Sequence, residues 1–294
     1  MTTALPKWRF ESQRGYFSHD DDIESWDFRA TTRPKLGIID RWYPTDAEFD
    51  PDHRKSEWQR LQEYVKSLNA QDPESKRWKV FYLVRHGEGI HNVKEKEYGR
   101  EEWDRHFSRL SGDATATWLD AALTQRGEQQ ARAIATFFAT SRLPAPGSVY
   151  SSPLRRCLHT TTLAFPRVAE NASATPPMVR ENLRERLGVH TCDRRSSRTW
   201  IAKQYPEFRF EEGFAEDDEL WGAERRETLE QHVRRSAVLL GDIFARDGSE
   251  VVALTAHSGA IMALFGVVRW RKIPVAVGAV YPLLVSATRI QEQG

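Results

Sequence analysis

The apolar residues of this chain follow two patterns, continuous runs and a spacing of three or four residues. A continuous run lies at 80–84, and a second strand at 251–256 begins with four apolar residues; such runs are typical of strands buried on both faces of a sheet. Shorter strand candidates lie at 148–151 and 176–183, and the tail from 273 to 290 is rich in β-forming residues. These patterns predict several buried strands distributed along the chain.

Apolar residues at helical spacing fill most of the segments between these strands. We predict helices over 54–69, from Thr124 to the prolines at 144 and 146, over 154–163, over 228–245 and just beyond 258. Strands that alternate with amphipathic helices favour an α/β fold. We expect three layers, α/β/α, with a mainly parallel sheet covered on both faces.

Three segments lack these patterns. Residues 1–52 are aromatic and acidic without clear periodicity, so we expect an irregular arm. Residues 1–70, which comprise this arm and the helix that follows it, are predicted to form an N-terminal extension packed on a core of residues 71–294. Segments near 93–118 and 190–225 show no strand alternation and are predicted to be insertions that cap the core. A chain of 294 residues is long enough for one large domain with such additions.

The charge balance limits the classes of partner. Lys and Arg total 43 and Asp and Glu total 42, so no overall field favours nucleic acid or an anionic membrane as a partner. The two cysteines, Cys157 and Cys192, do not make a disulfide framework. We find neither the run of roughly 18 to 20 apolar residues that spans a membrane nor the apolar core of a signal peptide. We therefore expect a cytoplasmic protein and leave its oligomeric state open.

Charged side chains follow four of the predicted strands. They are Arg85 and His86 in LVRHGEGIHN, Arg156 just inside the helix after SSPL, Glu185 in NLRERLG and His257 in TAHSG. Open α/β sheets present functional groups at the carboxyl ends of their strands. Phosphoryl transfer through an enzyme-bound intermediate needs a nucleophile free of its proton, cationic donors for the equatorial oxygens and an acid for the leaving oxygen. The four segments supply a candidate for each role, and helix N-termini after residues 152 and 257 would add backbone donors.

The same segments contain four short motifs in a defined order. They are Arg85, His86, Gly87, Glu88 and Asn92 in LVRHGEGIHN, then SPLRRCLHT, then Leu183-Arg184-Glu185, and finally His257 at the end of a strand. In these motifs, residues 79–290 resemble the histidine phosphatase superfamily, in its phosphoglycerate-mutase-like branch. The second motif of that branch, Ser-x-Leu-x-Arg, implies that Arg156 rather than Arg155 is the phosphate ligand in SPLRRCLHT. The resemblance implies the fold of that branch and makes 71–294 the catalytic domain.

The resemblance also implies the groups that break and form bonds. His86 would be the nucleophile and would become a phosphohistidine. Glu185 would protonate the departing oxygen and then activate the water that hydrolyses the intermediate. Because LRERLG is also an ordinary charged loop, Glu88 and Glu224 remain alternatives for the acid. Glu88 could instead orient Arg85 or the loop backbone.

The remaining matched residues are expected to bind the substrate. Arg85, Arg156 and His257 would bind the phosphoryl oxygens and stabilise the expanded phosphorus centre. Arginine suits this task because its planar fork is always charged and binds oxygens in pairs. Asn92 is expected to be an additional phosphate ligand, and Ser258 a substrate-binding residue at the start of the last helix.

The basic loop 184–198 offers further candidates. Arg194 and Arg195 would bind a second anionic group if the loop faces the cleft, and a solvated basic loop is the alternative. His190, Cys192 and Asp193 have ligand-type side chains at short spacing. We do not predict a metal site there, because no second ligand pair lies at a spacing typical of zinc and the chemistry needs no metal.

These residues favour metal-independent hydrolysis of a phosphate monoester, without a cofactor, on a small-molecule phosphate. A phosphomutase is the nearest alternative. A second is a secondary-metabolism enzyme that uses the same Arg and His pocket for a diphosphate or carboxylate, because a fold does not by itself determine function. A non-catalytic module that binds phosphate or phosphohistidine is the third.

Overall fold

Seven strands form one sheet in the part of the chain that our computed structural model describes, residues 7–20, 33–166 and 175–290. They are β1 (Trp8–Gln13), β2 (Lys76–Arg85), β3 (Ser148–Ser151), β4 (Met178–Val179), β5 (Arg209–Phe210), β6 (Val251–Ala256) and β7 (Val280–Arg289). Their order across the sheet is β1-β7-β2-β6-β3-β4-β5. From β2 to β5 all neighbouring strands are parallel, whereas β7 is antiparallel to both β2 and β1. The prediction of a mainly parallel sheet is confirmed.

The α-helices of the same residues match most of the periodic segments. They are α1 (Asp46–Phe49), α2 (Glu57–Gln71), α3 (Ile90–Tyr98), α4 (Arg100–Arg105), α5 (Gln125–Thr140), α6 (Arg155–Ala164), α7 (Arg198–Gln204), α8 (Leu229–Arg246) and α9 (Ser258–Val267). Helix α5 packs against α6, and α8 packs against α9. Helices and sheet form the predicted three-layer α/β/α arrangement. Thr124 caps α5, since its side chain accepts a hydrogen bond from the Gly127 N–H.

The N-terminal segment contributes a strand, where we expected an irregular arm. Strand β1 pairs antiparallel with β7 over its whole length, from Trp8 opposite Arg289 to Gln13 opposite Leu284. Trp8 and Phe10 are buried against Phe244 of α8, while Arg9 between them and Glu11 after them are exposed. This two-residue alternation is the pattern of a half-buried edge strand.

The predicted strand at 176–183 is much shorter than expected. Only Met178–Val179 pairs in the sheet, and the chain then forms a 3₁₀ turn at Glu181–Leu183. Arg180 lies between them, where its guanidinium forms ion pairs with Glu211 and Asp242. The early turn brings the following residues to the carboxyl edge of the sheet.

The two predicted cap segments differ in structure. Residues 93–118 are mostly helical and surround a small apolar cluster in which Trp103 and Trp118 pack together with Cys192. Within 190–225, helix α7 precedes strand β5, which extends the sheet at its edge. The second segment therefore belongs partly to the sheet. None of the helices in the described ranges has both the length and the apolar character to cross a lipid bilayer.

Candidate active site

Four neighbouring strands, β2, β6, β3 and β4, end at one edge of the sheet, where a cleft of about 370 Å³ opens. Arg85 at the end of β2 lies opposite Ala256 at the end of β6, so the loops that follow these strands start side by side. The cleft is lined by Arg85, His86, His91, Asn92, Glu95, Arg100, Trp103, Arg156, Glu185, Arg186, His190, Cys192, Asp193, Arg226, Ser258 and Gly259. Six of the nine residues predicted for the site are among them.

His86 follows β2 directly and is 2% exposed. Its Nδ1 lies 2.6 Å from the carbonyl oxygen of Gly87. Because a carbonyl oxygen can only accept, Nδ1 carries the proton and Nε2 keeps its lone pair. Burial, followed by the guanidinium groups of Arg156 and Arg85, holds the pKa of His86 well below its usual value. The imidazole is therefore neutral and has a free nitrogen.

The loop after His86 is held against the start of α5. A Cβ atom at Gly87 would lie 2.2 Å from the carbonyl oxygen of Gly127, so only glycine permits this approach. The side chain of Glu88 accepts a hydrogen bond from the Thr124 hydroxyl at 2.9 Å. Glu88 therefore anchors the loop to α5 and does not line the cleft, in agreement with an orienting role.

Arg156, in the first turn of α6, is 1% exposed and bound through all three nitrogens. Its Nη2 donates to Asp193 Oδ1 at 2.8 Å, its Nη1 to the Cys192 carbonyl at 2.6 Å and its Nε to His257 Nδ1 at 3.2 Å. Burial disfavours the charge, but Asp193 and the weaker contributions of Cys192, Cys157 and Asp120 together outweigh burial and raise the pKa of Arg156. The guanidinium is thus fixed in place before any substrate arrives.

Arg85 differs from Arg156 because part of its guanidinium remains available. Nη1 donates to the Val275 carbonyl at 2.5 Å, while Nε is buried and has no hydrogen-bond partner among the described residues. Burial lowers the pKa of Arg85, but arginine stays charged at any physiological pH. A buried N–H without an acceptor is rare, so this donor is suited to an anion in the cleft.

His257 lies behind the cleft surface. Its ring centroid is 5.1 Å from that of His86, and its side chain is completely buried. Since the Nε of Arg156 can only donate, Nδ1 of His257 accepts this bond, and Nε2 carries the proton and donates to Ser152 Oγ at 2.8 Å. Burial, and then the charge of Arg156, holds the pKa of His257 well below its usual value. Direct contact with a phosphoryl oxygen would require one of these bonds to be exchanged.

Glu185 and Ser258 meet at the N-terminus of α9. Glu185 Oε2 accepts a hydrogen bond from the Gly259 N–H at 2.9 Å, and Oε1 accepts one from the Arg186 N–H at 3.0 Å. Both Glu185 and Ser258 line the cleft. The carboxyl group is therefore held beside the helix terminus that was expected to supply backbone donors.

A family model described as the histidine phosphatase superfamily, branch 1, matches residues 81–281. The chain belongs to this superfamily.

Relatives of the chain include two fungal proteins. A protein of Arthroderma benhamiae named probable phosphoglycerate mutase is 40% identical over 290 residues, which cover 96% of this chain and 85% of that protein. Phosphomutase-like protein 3 of Candida albicans is 35% identical over 210 residues, which cover 71% of this chain and 65% of that protein. Among solved structures, a putative alpha-ribazole-5'-P phosphatase of Escherichia coli is 15% identical and covers 74% of this chain and 97% of its own, with a TM-score of 0.44. Membership of the superfamily and the names of the fungal relatives support a phosphatase- or mutase-type activity.

Asn92, matched to the first motif of the histidine phosphatases, has a structural contact as well as a place in the cleft. Its Oδ1 accepts a hydrogen bond from the Gly89 N–H at 3.0 Å and so caps α3. This contact leaves the amide NH₂ as the donor that Asn92 can offer to a ligand.

Arg194 and Arg195 do not line the cleft, contrary to our expectation. Arg195 is buried, and its Nε donates to Glu181 Oε1 at 2.6 Å while its other nitrogens bind backbone carbonyls of residues 196 and 215–217. Arg194 is exposed, and its guanidinium lies 5.4 Å from the ring centre of Trp221. Arg194 and Arg195 instead line a separate pocket. Glu224, the other alternative acid, is exposed and outside the cleft.

Sequence reasoning missed several residues that line the cleft of this histidine phosphatase. Arg186 directly follows Glu185, and His91 directly precedes Asn92, so proximity to the motifs could have identified both. Arg226 has no such local signal. It reaches the cleft because its Nη1 donates to Asp193 Oδ2 at 2.9 Å and to two carbonyls of the facing loop.

His190, Cys192 and Asp193 hold potential ligand atoms within 4.8 Å of one another. The surroundings do not suit a metal cation. The carboxylate of Asp193 already binds the guanidinium groups of Arg156 and Arg226, and burial raises the pKa of the Cys192 thiol well above its usual value. Metal binding by cysteine requires the thiolate, which this site disfavours.

Proposed function

We propose that the protein hydrolyses a phosphate monoester of a small molecule through a phosphohistidine at His86, without a metal ion. The observation that carries this proposal is the hydrogen bond from His86 Nδ1 to the Gly87 carbonyl. It holds the proton on the nitrogen that points into the loop and leaves Nε2 as a nucleophile. The low pKa of His86 means that no base is needed to remove a proton first.

The guanidinium groups beside His86 supply the charge stabilisation that phosphoryl transfer requires. The unpaired Nε of Arg85 and the fixed charge of Arg156 would face the phosphoryl oxygens, on which negative charge accumulates in the transition state. The amide NH₂ of Asn92 and the start of α9 at Ser258 would add neutral donors. Donors that are held in place before reaction cost little reorganisation during it.

In the first step the lone pair of His86 Nε2 forms a bond to phosphorus, and the bond from phosphorus to the ester oxygen breaks. Glu185 donates a proton to that oxygen, so an alcohol leaves. In the second step Glu185 accepts a proton from water, the water oxygen bonds to phosphorus, and the bond from phosphorus to Nε2 breaks. Inorganic phosphate is released and His86 returns to its neutral form.

The experiment is to follow phosphate release from a panel of sugar phosphates, with trapping of ³²P on the protein at neutral pH. His86→Ala should lose labelling and lower turnover by at least about 10⁴-fold, because the nucleophile is removed. His159→Ala is the matched control, since His159 lies on α6 outside the cleft and should keep full activity. A chelator should leave the rate unchanged. Labelling at another residue, or turnover by His86→Ala, would reject the proposal.

A phosphomutase is the second candidate. It is favoured by the name of the Arthroderma benhamiae relative and by the arginines in the outer part of the cleft, Arg100, Arg186 and Arg226, which could bind a second acidic group. The two activities can be separated by supplying one member of an isomer pair, such as 2- and 3-phosphoglycerate, and analysing the products by chromatography. Phosphate that moves between positions without release would favour the mutase over the hydrolase.

A further inference from the structure

His91 is a cleft residue to which the reaction outlined above gives no task. It occupies the first turn of α3 and is 8% exposed, and its ring centroid lies 5.5 Å from that of His86. It is also one of the residues that line the cleft. A buried polar side chain beside the nucleophile therefore faces the space that the substrate would occupy.

The two nitrogens of His91 have different surroundings. Nδ1 is buried and has no hydrogen-bond partner among the described residues. The edge of the ring that contains Nδ1 and Cε1 packs on Gly89, where a Cβ would lie 2.6 Å and 2.7 Å from these two atoms. Nε2 is not among the buried unpaired nitrogens of the described residues, so it is the nitrogen of His91 that can reach the cleft.

This asymmetry determines where the proton lies. A proton on Nδ1 would create a buried N–H with no acceptor, which folded proteins strongly avoid. The neutral tautomer with its proton on Nε2 avoids that cost. Burial, and then the charge of Arg156, keeps the pKa of His91 well below its usual value, so the ring is neutral. His91 thus offers the cleft one N–H donor.

The cleft has a use for such a donor. His257, the imidazole expected to bind the phosphoryl group, is engaged by Arg156 and Ser152 and does not line the cleft. His91 does line it and has its N–H on the open side. We propose that Nε2 of His91 donates a hydrogen bond to a non-bridging oxygen of the substrate phosphoryl group. This inference rests on the proposed phosphatase function of the same cleft.

The test uses inorganic phosphate and orthovanadate as probes, so that binding is measured without turnover. The variants are His91→Leu, His91→Gln and His91→Asn in the full chain, each checked for native circular dichroism. The amide nitrogen of Gln reaches the position of Nε2, whereas that of Asn reaches only the position of Nδ1. We expect His91→Leu and His91→Asn to weaken binding of both anions about tenfold or more, and His91→Gln to recover most of the affinity.

Turnover provides an independent readout. With a phosphate ester as substrate, His91→Leu should raise KM by a similar factor, and ³²P should still label His86. Equal anion affinity in His91→Leu and the native protein would overturn the role of His91, as would Gln and Asn variants that behave alike. If the native protein binds phosphate through His91 but ³²P never labels His86, the proposed hydrolysis fails and this inference stands. If the native protein binds neither anion but releases phosphate and is labelled at His86, this inference fails and the proposed hydrolysis stands.

Discussion

The inner and outer halves of the cleft are built by different means. The inner half consists of Arg85, His86 and Arg156, with His257 directly behind them. Arg85 ends β2, His86 and His257 directly follow strands, and Arg156 lies in the first turn of a helix that follows a strand. The outer half consists of Arg100, His190, Asp193 and Arg226, which lie on loops and on the short helix α4. Backbone hydrogen bonds of the sheet position the first set. Side-chain ion pairs position the second. In the proposed reaction, the groups that need exact geometry are thus held by the sheet, and the groups that would contact the rest of the substrate lie on loops, which vary more readily.

Asp193 connects the two halves. Its Oδ1 binds Arg156 of the inner half at 2.8 Å, and its Oδ2 binds Arg226 of the outer half at 2.9 Å. The carboxylate is 2% exposed, and burial alone would raise its pKa. The charges of Arg226 and Arg156 outweigh burial and lower the pKa of Asp193, so it remains ionised.

Removal of the Asp193 carboxylate should have the largest predicted effect, and that effect is on stability. Asp193→Ala leaves the buried guanidinium of Arg156 without its counter-charge, and we expect the free energy of unfolding to fall by about 3–5 kcal/mol. Urea denaturation measures it. Because the pKa of Asp193 is lowered in the folded state, its contribution is present above the ordinary pKa of aspartate and disappears as pH falls through the folded-state value.

Asp217→Ala is the matched control, since Asp217 is an exposed acidic residue of the same region and should change the unfolding free energy by less than about 0.5 kcal/mol. Equal stability of the Asp193 and Asp217 variants would mean that the two halves of the cleft fold independently of each other.

A change within the inner half should affect rate more than stability. Arg156→Lys keeps a positive charge but loses the fork that binds Asp193, Cys192 and His257 at once. We expect kcat/KM for phosphate release to fall about 10²-fold, by analogy with loss of one transition-state donor. Arg155→Lys, one residue away and stacked 5.1 Å from the ring centre of Trp200, should stay within about twofold of native. Comparable losses in both variants would remove the distinction between Arg156 and its neighbour.

The smallest predicted effect is the contribution of each neutral histidine to the pH dependence of stability. His86, His91 and His257 have pKa values well below that of an unfolded histidine, chiefly because of burial. Below pH of about 6.5 the unfolded chain binds protons that the folded chain does not, so stability falls as pH falls. Each such histidine contributes up to about 1.4 kcal/mol per pH unit. Urea midpoints measured from pH 7 to 5.5 should therefore decline, and His91→Gln should flatten the decline. An identical slope in that variant would show that His91 accepts a proton in the folded protein.

The inner half was largely predictable from the sequence. Arg85 and His86 stand at the end of an apolar run that is recognisable as a buried strand, and Arg156 stands in a motif that resembles the histidine phosphatases. Parallel strands then bring their carboxyl ends to one edge. The hydrogen-bonding state of His257 was not predictable, since it depends on Ser152 and Arg156 from other segments.

The outer half could not be predicted in the same way. Arg194 and Arg195 are as basic as Arg226, and charge alone does not say which arginine reaches the cleft. The guanidinium of Arg195 instead binds Glu181 and the carbonyls of a neighbouring loop, because these segments pack together in the folded protein. Strand β1 was missed for a different reason, because its alternating pattern spans only six residues within an otherwise aperiodic segment.

The pairing of β1 with β7 has a consequence for biosynthesis. Strand β7 lies between β1 and β2, and it is the last strand in the described chain. During translation, residues 8–13 emerge early but have no neighbour until residues 280–289 leave the ribosome. Trp8 and Phe10 therefore lack their native strand partner until β7 has been synthesised, so this edge of the sheet can form only late in folding.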